Sequence, residues 1–257
     1  MSISELDITR NIVEAFNEKL RRCEKLDVAI AGAGPSGLLA AHYLAEGGLN
    51  VALFERKLSP GGGMWGGGML YNVALFQKEA EPLVKELGVA SSETGDGYIV
   101  TDSVEVVGTL VMKAVKSGAL VFNGMHAEDL MVRDEDVTGV VINWSAVQIA
   151  GLHVDPLAIP ARAVIDATGH DCCLAQYAIK RGLKLKTPTG GIIGERAMWA
   201  DRGEREVMEF AGEICPGLYT TGMASNAVRG GHRMGAVFGG MLMSAKKVSD
   251  ELLAKLK

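Results

Sequence analysis

Apolar and polar positions along this chain change period repeatedly, and the changes mark its elements. Short, nearly unbroken apolar runs at Leu26–Ala31, Val51–Glu55, Leu120–Asn123, Ala163–Ala167 and Gly217–Thr221 read as buried strands. Between them the spacing becomes helical, predicting helices over 38–46, 79–87, 103–117, 171–181 and 233–256. Val104, Val107, Leu110, Val111, Ala114 and Val115 form the expected apolar face of the 103–117 helix. Met234, Val237, Met241 and Ala245 point the last helix toward the core, as packing methionines. Residues 4–22 predict a leading helix with Ile8, Ile12, Val13, Phe16 and Leu20 at helical spacing and a capping box at Ser4 and Asp7. Its role is packing, on this domain or on a second subunit. Leu130–Arg133 and Val137–Asn143 flank Asp134-Glu135-Asp136 as a hairpin with a solvated acidic turn. Segments 144–160 and 183–195 read as irregular. No repeat and no linker divides the 257 residues, so one α/β domain is expected, a mostly parallel sheet with a small antiparallel insert.

Glycine sharpens this outline. Gly32, Gly34 and Gly37 follow the first strand as G-x-G-x-x-G, and Glu55 ends the second strand 18 residues later. That frame predicts a dinucleotide site. The glycines permit a tight turn and close pyrophosphate approach, and the acid accepts from the adenosine ribose hydroxyls. Glu55 favours an unphosphorylated ribose, although Arg56 beside it leaves NADP conceivable. Ser59–Gly68 is six-tenths glycine, and bare backbone around Gly63 suits a loop lying against a ligand, or a surface lid.

Charge and cysteine content narrow the class. The net charge is −5, and no basic run exceeds two residues, which disfavours nucleic-acid and anionic-membrane partners. Cys23, Cys172, Cys173 and Cys215 form no C-x-x-C pair, as expected for reduced thiols in a cytoplasmic protein. The first dozen residues lack a signal-peptide pattern, and no run is long enough to span a membrane. His42, in the helix after the fingerprint, and His126 are expected to pack.

The candidate chemistry concentrates in Gly151–His170. Two imidazoles and a carboxylate, His153, Asp155 and His170, sit on loops or loop edges. Such a set suits a redox-active divalent metal, although spacing alone favours buried structural polar groups over a metal.

The fingerprint, the strand ending Ala167-Thr168-Gly169 and the late strand Leu218–Gly222 resemble the glutathione-reductase-like FAD/NAD-binding Rossmann-type fold. In flavoenzymes of that fold the late strand ends in Gly-Asp. Here Met223 takes the Asp position, which argues for NAD over FAD. A closer resemblance rests on Glu55-Arg56, the Gly61–Gly68 cluster around Trp65, Asp102–Glu105, Val140–Trp144, Asp155-Pro156, Ala167–Asp171 and Arg233–Ala236. Together they resemble the Thi4 thiazole synthases of thiamine biosynthesis, from about Asp27 to the last helix.

That resemblance implies NAD as a carbon source. Nicotinamide leaves, the ribose tautomerises to a ketone, condenses with glycine, receives sulfur and closes to ADP-thiazole carboxylate. It implies iron(II) on Asp155 and His170, with His153, Asp155, His170 and Arg233 as the catalytic group. Arg233, expected at a helix start, would clamp the glycine carboxylate. NAD would contact Gly32, Gly34, Ser36, Gly37, Glu55, Arg56, Gly63, Ala127, His153, Val154, Asp155 and Met223. Eukaryotic members carry a sacrificial sulfur-donating cysteine two residues before the Asp-Pro. His153 stands there instead, so the chain resembles the archaeal type that uses free sulfide catalytically, and Cys172 and Cys173 are incidental. A homo-octamer with the His153–Asp155 loop shared between adjacent subunits is also implied. The alternatives are a flavin-dependent oxidoreductase of the same fold, a non-catalytic NAD- or iron-binding protein, and single-turnover sulfur donation by another cysteine.

Overall fold

The computed structural model describes residues 3–257. In chain order it contains α1 (Glu5–Arg21), β1 (Leu26–Ala31), α2 (Pro35–Glu46), β2 (Val51–Glu55), β3 (Val73–Phe76), α3 (Glu81–Leu87), β4 (Ser91–Glu93), β5 (Ile99–Asp102), α4 (Ser103–Lys116) and β6 (Leu120–Asn123). There follow β7 (Met125–Arg133), β8 (Asp136–Trp144), α5 (Ser145–Ala150), β9 (Leu157–Asp166), α6 (Cys173–Lys180), α7 (Ala200–Phe210), β10 (Gly212–Cys215), β11 (Leu218–Thr220), α8 (Met223–Arg229) and α9 (Gly239–Leu256).

The main sheet runs β10-β11-β9-β1-β2-β6, parallel except for β10. The hairpin β7–β8 joins through the first half of β9, and β3-β5-β4 form a separate antiparallel sheet. This is the expected mostly parallel α/β architecture. Alternation along the central strands explains its two cores. Val28 and Ile30 of β1, with Val51 and Leu53 of β2, pack against α2, α4 and α9. Ala29, Ala31, Ala52 and Phe54 face the other way, toward the hairpin, α6 and α8. Side chains on successive strand residues point to opposite faces, so a strand covered on both sides must be apolar at every position.

The structure corrects several expectations. Ser4 makes no side-chain cap; Asp7 instead pairs with Arg10 at 2.6 Å. In α1, Phe16 and Leu20 pack against the core of this chain, while Ile8, Ile12 and Val13 are exposed, the arrangement open to the second-subunit alternative. Helix α4 buries Val106, Val107, Leu110 and Ala114, while Val104 and Val115 of the expected face stay exposed. The supposed 144–160 loop contains α5 and the start of β9, which begins six residues before the expected strand because it pairs there with β8. Helices α7 and α8, strand β10 and the whole β3-β5-β4 sheet have no counterpart in the apolar pattern. The last helix starts at Gly239, not Arg233, since Gly235 at φ +84° interrupts the helical path. Gly239 and Gly240 then let Gln77 and Glu204 reach the start of α9, where a Cβ would collide with their side chains.

Candidate active site at the carboxyl edge of the sheet

The carboxyl ends of β1, β2, β9 and β11 carry most of the motifs singled out in the sequence, the edge where open α/β sheets bind ligands. Close backbone packing builds the turn after β1. Gly32 has φ +95°, and a Cβ there would lie 2.4 Å from the Ala167 carbonyl oxygen; one on Gly37 would lie 2.0 Å from the Gly32 oxygen. Gly34 and Gly63 differ, with negative or unexceptional φ and nothing within 4 Å of an added Cβ. Neither backbone strain nor packing requires glycine at these two, which leaves bare backbone open to a ligand. The Gly-rich loop docks on this turn through a hydrogen bond from the Gly61 amide to the Ala33 carbonyl, 2.6 Å. Ser36 is buried at the start of α2, packed so closely on Gly222 that a Cβ there would lie 2.5 Å from its hydroxyl.

Glu55 is buried, and each carboxylate oxygen accepts one backbone amide: Ala33 N–H to Oε2 and Lys57 N–H to Oε1, both 2.8 Å. Each oxygen keeps a lone pair for a ribose hydroxyl. Arg56 is exposed and pairs with Asp171 at 3.3 Å, tying the end of β2 to the turn after β9. Ala127 lies half-buried on β7 opposite Ile142. Met223 opens α8, but its side chain packs with Val207 and Met234.

Asp166 shapes the turn that carries His170. Its fully buried carboxylate accepts from the Thr168 hydroxyl (2.7 Å), the Thr168 amide and the Ala175 amide (both 3.0 Å). Burial pushes its pKa up, against those hydrogen bonds. The chain then passes through a short turn at Gly169–Asp171 and a left-handed Cys172 (φ +36°), leaving His170 exposed. Expected to open a helix, Asp171 lies in this turn, and α6 begins at Cys173.

Three side chains meet here. The His170 Nδ1 lies 2.6 Å from Glu195 Oε1, and Arg233 Nε lies 3.7 Å from Glu195 Oε2. Arg233 does not sit at a helix N-terminus as expected; it lies in the extended link between α8 and α9. Its carbonyl accepts the Trp199 amide at 3.0 Å, and its neighbour His232 is fixed by Glu206 and Asn226. Burial raises the Glu206 carboxyl, but hydrogen bonds from His232 and Arg202 outweigh it and hold the pKa below the usual range. Sequence reasoning did not single out Glu195. Its one signal is polarity in a Gly-rich segment, and its partners are 25 and 38 residues away in the chain.

His153, Val154 and Asp155 lie on an exposed loop after α5. The loop is tied down by a hydrogen bond from the Asn143 side-chain Nδ2 to the Val154 carbonyl, 3.1 Å. Among the described residues His153 and Asp155 make no side-chain hydrogen bond or ion pair with His170, and no three His, Cys, Asp or Glu side chains converge as a metal cage. The donor set nonetheless suits a first-row divalent metal: with Nδ1 of His170 turned to Glu195, Nε2 is the ring nitrogen left for a metal, and Asp155 is an exposed carboxylate. Cys172 is buried and its thiol is pushed up to about 12 by burial; the same cause raises Cys173. His42 is buried against Tyr43, and burial lowers its pKa, consistent with packing. A cavity of about 460 Å³ lies between α1 and the start of β9, at the opposite end of that strand from Asp166, and holds none of these residues. No helix among the described residues is long and apolar enough to cross a membrane.

The Thi4 family model matches residues 9–238. A thiamine thiazole synthase of Methanothermobacter thermautotrophicus is 53% identical over 258 residues, covering all of both chains. One from Pyrococcus horikoshii is 51% identical, with 99% of each chain covered. The crystal structure of Thermovibrio ammonificans THI4 superposes with a TM-score of 0.96 at 48% identity, covering 99% of each chain. With the glycine turn after β1, the Ala-Thr-Gly-His turn and the Arg233 link all placed on one sheet edge, and likeness running along the full length, this chain belongs to the Thi4 family.

Proposed function

We propose that this chain is a thiamine thiazole synthase that uses NAD, glycine and sulfide, with iron(II), to make ADP-5-ethyl-4-methylthiazole-2-carboxylate and nicotinamide in many turnovers. The observation that carries this reading is the meeting of His170, Glu195 and Arg233 beside a dinucleotide turn whose Gly34 and Gly63 are bare for no internal reason.

On this reading the turn at Gly32–Gly37 and Gly63 receives the pyrophosphate, Ser36 supplies a hydroxyl, and Glu55 holds the adenosine ribose. Arg56, Ala127, Val154 and Met223 border the rest of NAD, Met223 through its backbone, since its side chain is packed away. Arg233 offers its two terminal nitrogens to the glycine carboxylate, which holds the amine in register with the ribose ketone. His170 and Asp155 would hold iron(II), which supplies a cation that binds sulfide as hydrosulfide near the bound intermediate. Asp155 and His153 would approach from an adjacent subunit of a homo-octamer, in keeping with their separation from the His170 cluster within one chain. His153 in place of a sacrificial cysteine, and Cys172 held as a protonated thiol by burial, both favour free sulfide over protein sulfur. A flavin-dependent reading finds no Asp at position 223 to hold a ribityl chain.

Anaerobic incubation with NAD, glycine, iron(II) and sulfide tests this. Product in excess of subunits is expected. Product capped at one per subunit, or none, would refute catalytic use of sulfide. Asp155→Ala and His170→Ala should each stop thiazole formation while NAD still binds.

A further inference from the structure

The geometry points to Glu195 as a positioning residue that aligns two functional groups with one carboxylate, and this rests on the function proposed above. Oε1 lies 2.6 Å from His170 Nδ1, and Oε2 lies on the Nε side of Arg233 at 3.7 Å. A carboxylate only accepts, so the Nδ1 proton points at Glu195 and the Nε2 lone pair points away, available to a metal. Carboxylates behind metal-binding imidazoles set the tautomer and the ring orientation in this way. The same carboxylate faces Arg233 from its Nε edge as an ion pair at 3.7 Å, beyond hydrogen-bond length. Both terminal nitrogens stay free to grip a substrate carboxylate in a fork.

The surroundings suit a fixed pivot. His170 and Arg233 are each more than half exposed, whereas the Glu195 side chain is only 15% exposed. Its backbone is docked on the end of α8. The Ile193 and Gly194 amides donate to the Val228 and Ala227 carbonyls (both 3.0 Å), and the Arg196 amide donates to the Gly231 carbonyl (2.8 Å). A shielded carboxylate on a docked backbone thus stands between two exposed side chains and biases both toward one arrangement. That couples the metal site to the glycine site without Glu195 touching either ligand.

Two variants separate these roles. Glu195→Ala removes both contacts. Glu195→Gln keeps an oxygen that accepts from His170 Nδ1 but removes the charge opposite Arg233. Iron(II) affinity is read by anaerobic equilibrium dialysis of the apoprotein, NAD affinity by calorimetry, and the glycine KM and kcat by steady-state turnover. For Glu195→Ala, iron(II) affinity is expected to fall at least about tenfold, with a raised glycine KM and unchanged NAD affinity. Glu195→Gln should hold iron(II) nearly as wild type does and still show the raised glycine KM. Wild-type iron(II) affinity in Glu195→Ala, or NAD affinity falling in step with it in both variants, would overturn the assignment. Wild type binding no more iron(II) than His170→Ala would instead overturn the underlying metal reading, and the positioning role with it.

Discussion

Glu204 on α7 offers a stability experiment whose size and sign follow from its surroundings. Its Oε2 accepts the Gly240 amide at 2.7 Å, at the start of α9, and also accepts from the Gln77 side-chain amide. Its Oε1 is sealed from solvent without a partner among the described residues, as is the Gln77 Oε1. Burial pushes the carboxyl up to about 7 from an ordinary 4.5, against those two hydrogen bonds, and nearby Glu79 adds to the rise. Below about pH 4.5 the group is protonated folded and unfolded, and its contribution to stability is fully present. As pH rises toward about 7 the unfolded chain releases the proton first, so stability falls; above the folded pKa the loss is complete. A shift of about 2.5 pH units at about 1.36 kcal/mol each makes the loss about 3 kcal/mol. Glu204→Gln is neutral throughout and nearly isosteric. Urea unfolding of both proteins between pH 4 and 8.5, taken as a difference, cancels the other titrating groups. The wild type should weaken relative to the variant by about 3 kcal/mol between pH 4.5 and 7, then level off. A flat difference, or one that favours the wild type as pH rises, would refute the reasoning.

Two further outcomes follow from packing and burial. Gly37→Ala puts a Cβ 2.0 Å from the Gly32 oxygen, so it should cost about 3 kcal/mol or more and abolish NAD binding, measured by denaturation and calorimetry. An unchanged midpoint would mean that the turn yields. Cys172, Cys173 and Cys215 are all raised by burial, the first and last to about 12, so alkylation at pH 7.5 should run at least tenfold slower in the native protein than in urea. The Cys172→Ser, Cys173→Ser double variant should still form product beyond one per subunit; loss of turnover would return a cysteine to the chemistry.

Local pattern was enough to read β1, β2 and β6 to the residue, because strands buried on both faces are written as short continuous apolar runs. The fingerprint and Glu55 were equally plain: a tight turn, a close helix and a strand-ending acid are local demands, met within thirty residues. Family likeness to the Thi4 thiazole synthases was also carried by short motifs. Other features depended on distant partners. The start of β9 is a strand because β8 lies beside it, and α1 turns apolar residues outward because nothing in this chain covers them. Arg233 reads as a helix start only until Gly235 and the Glu204 cap move that start to Gly239.

Glu195 marks the division most clearly. The sequence by itself determined that His170 follows an Ala-Thr-Gly turn and that Arg233 follows a Gly-Gly-His run. Only the tertiary structure decided that one shielded carboxylate lies between them. Side-chain convergence is set by how α8 docks the 193–196 segment against the turn after β9, and no spacing along the chain encodes a distance across it.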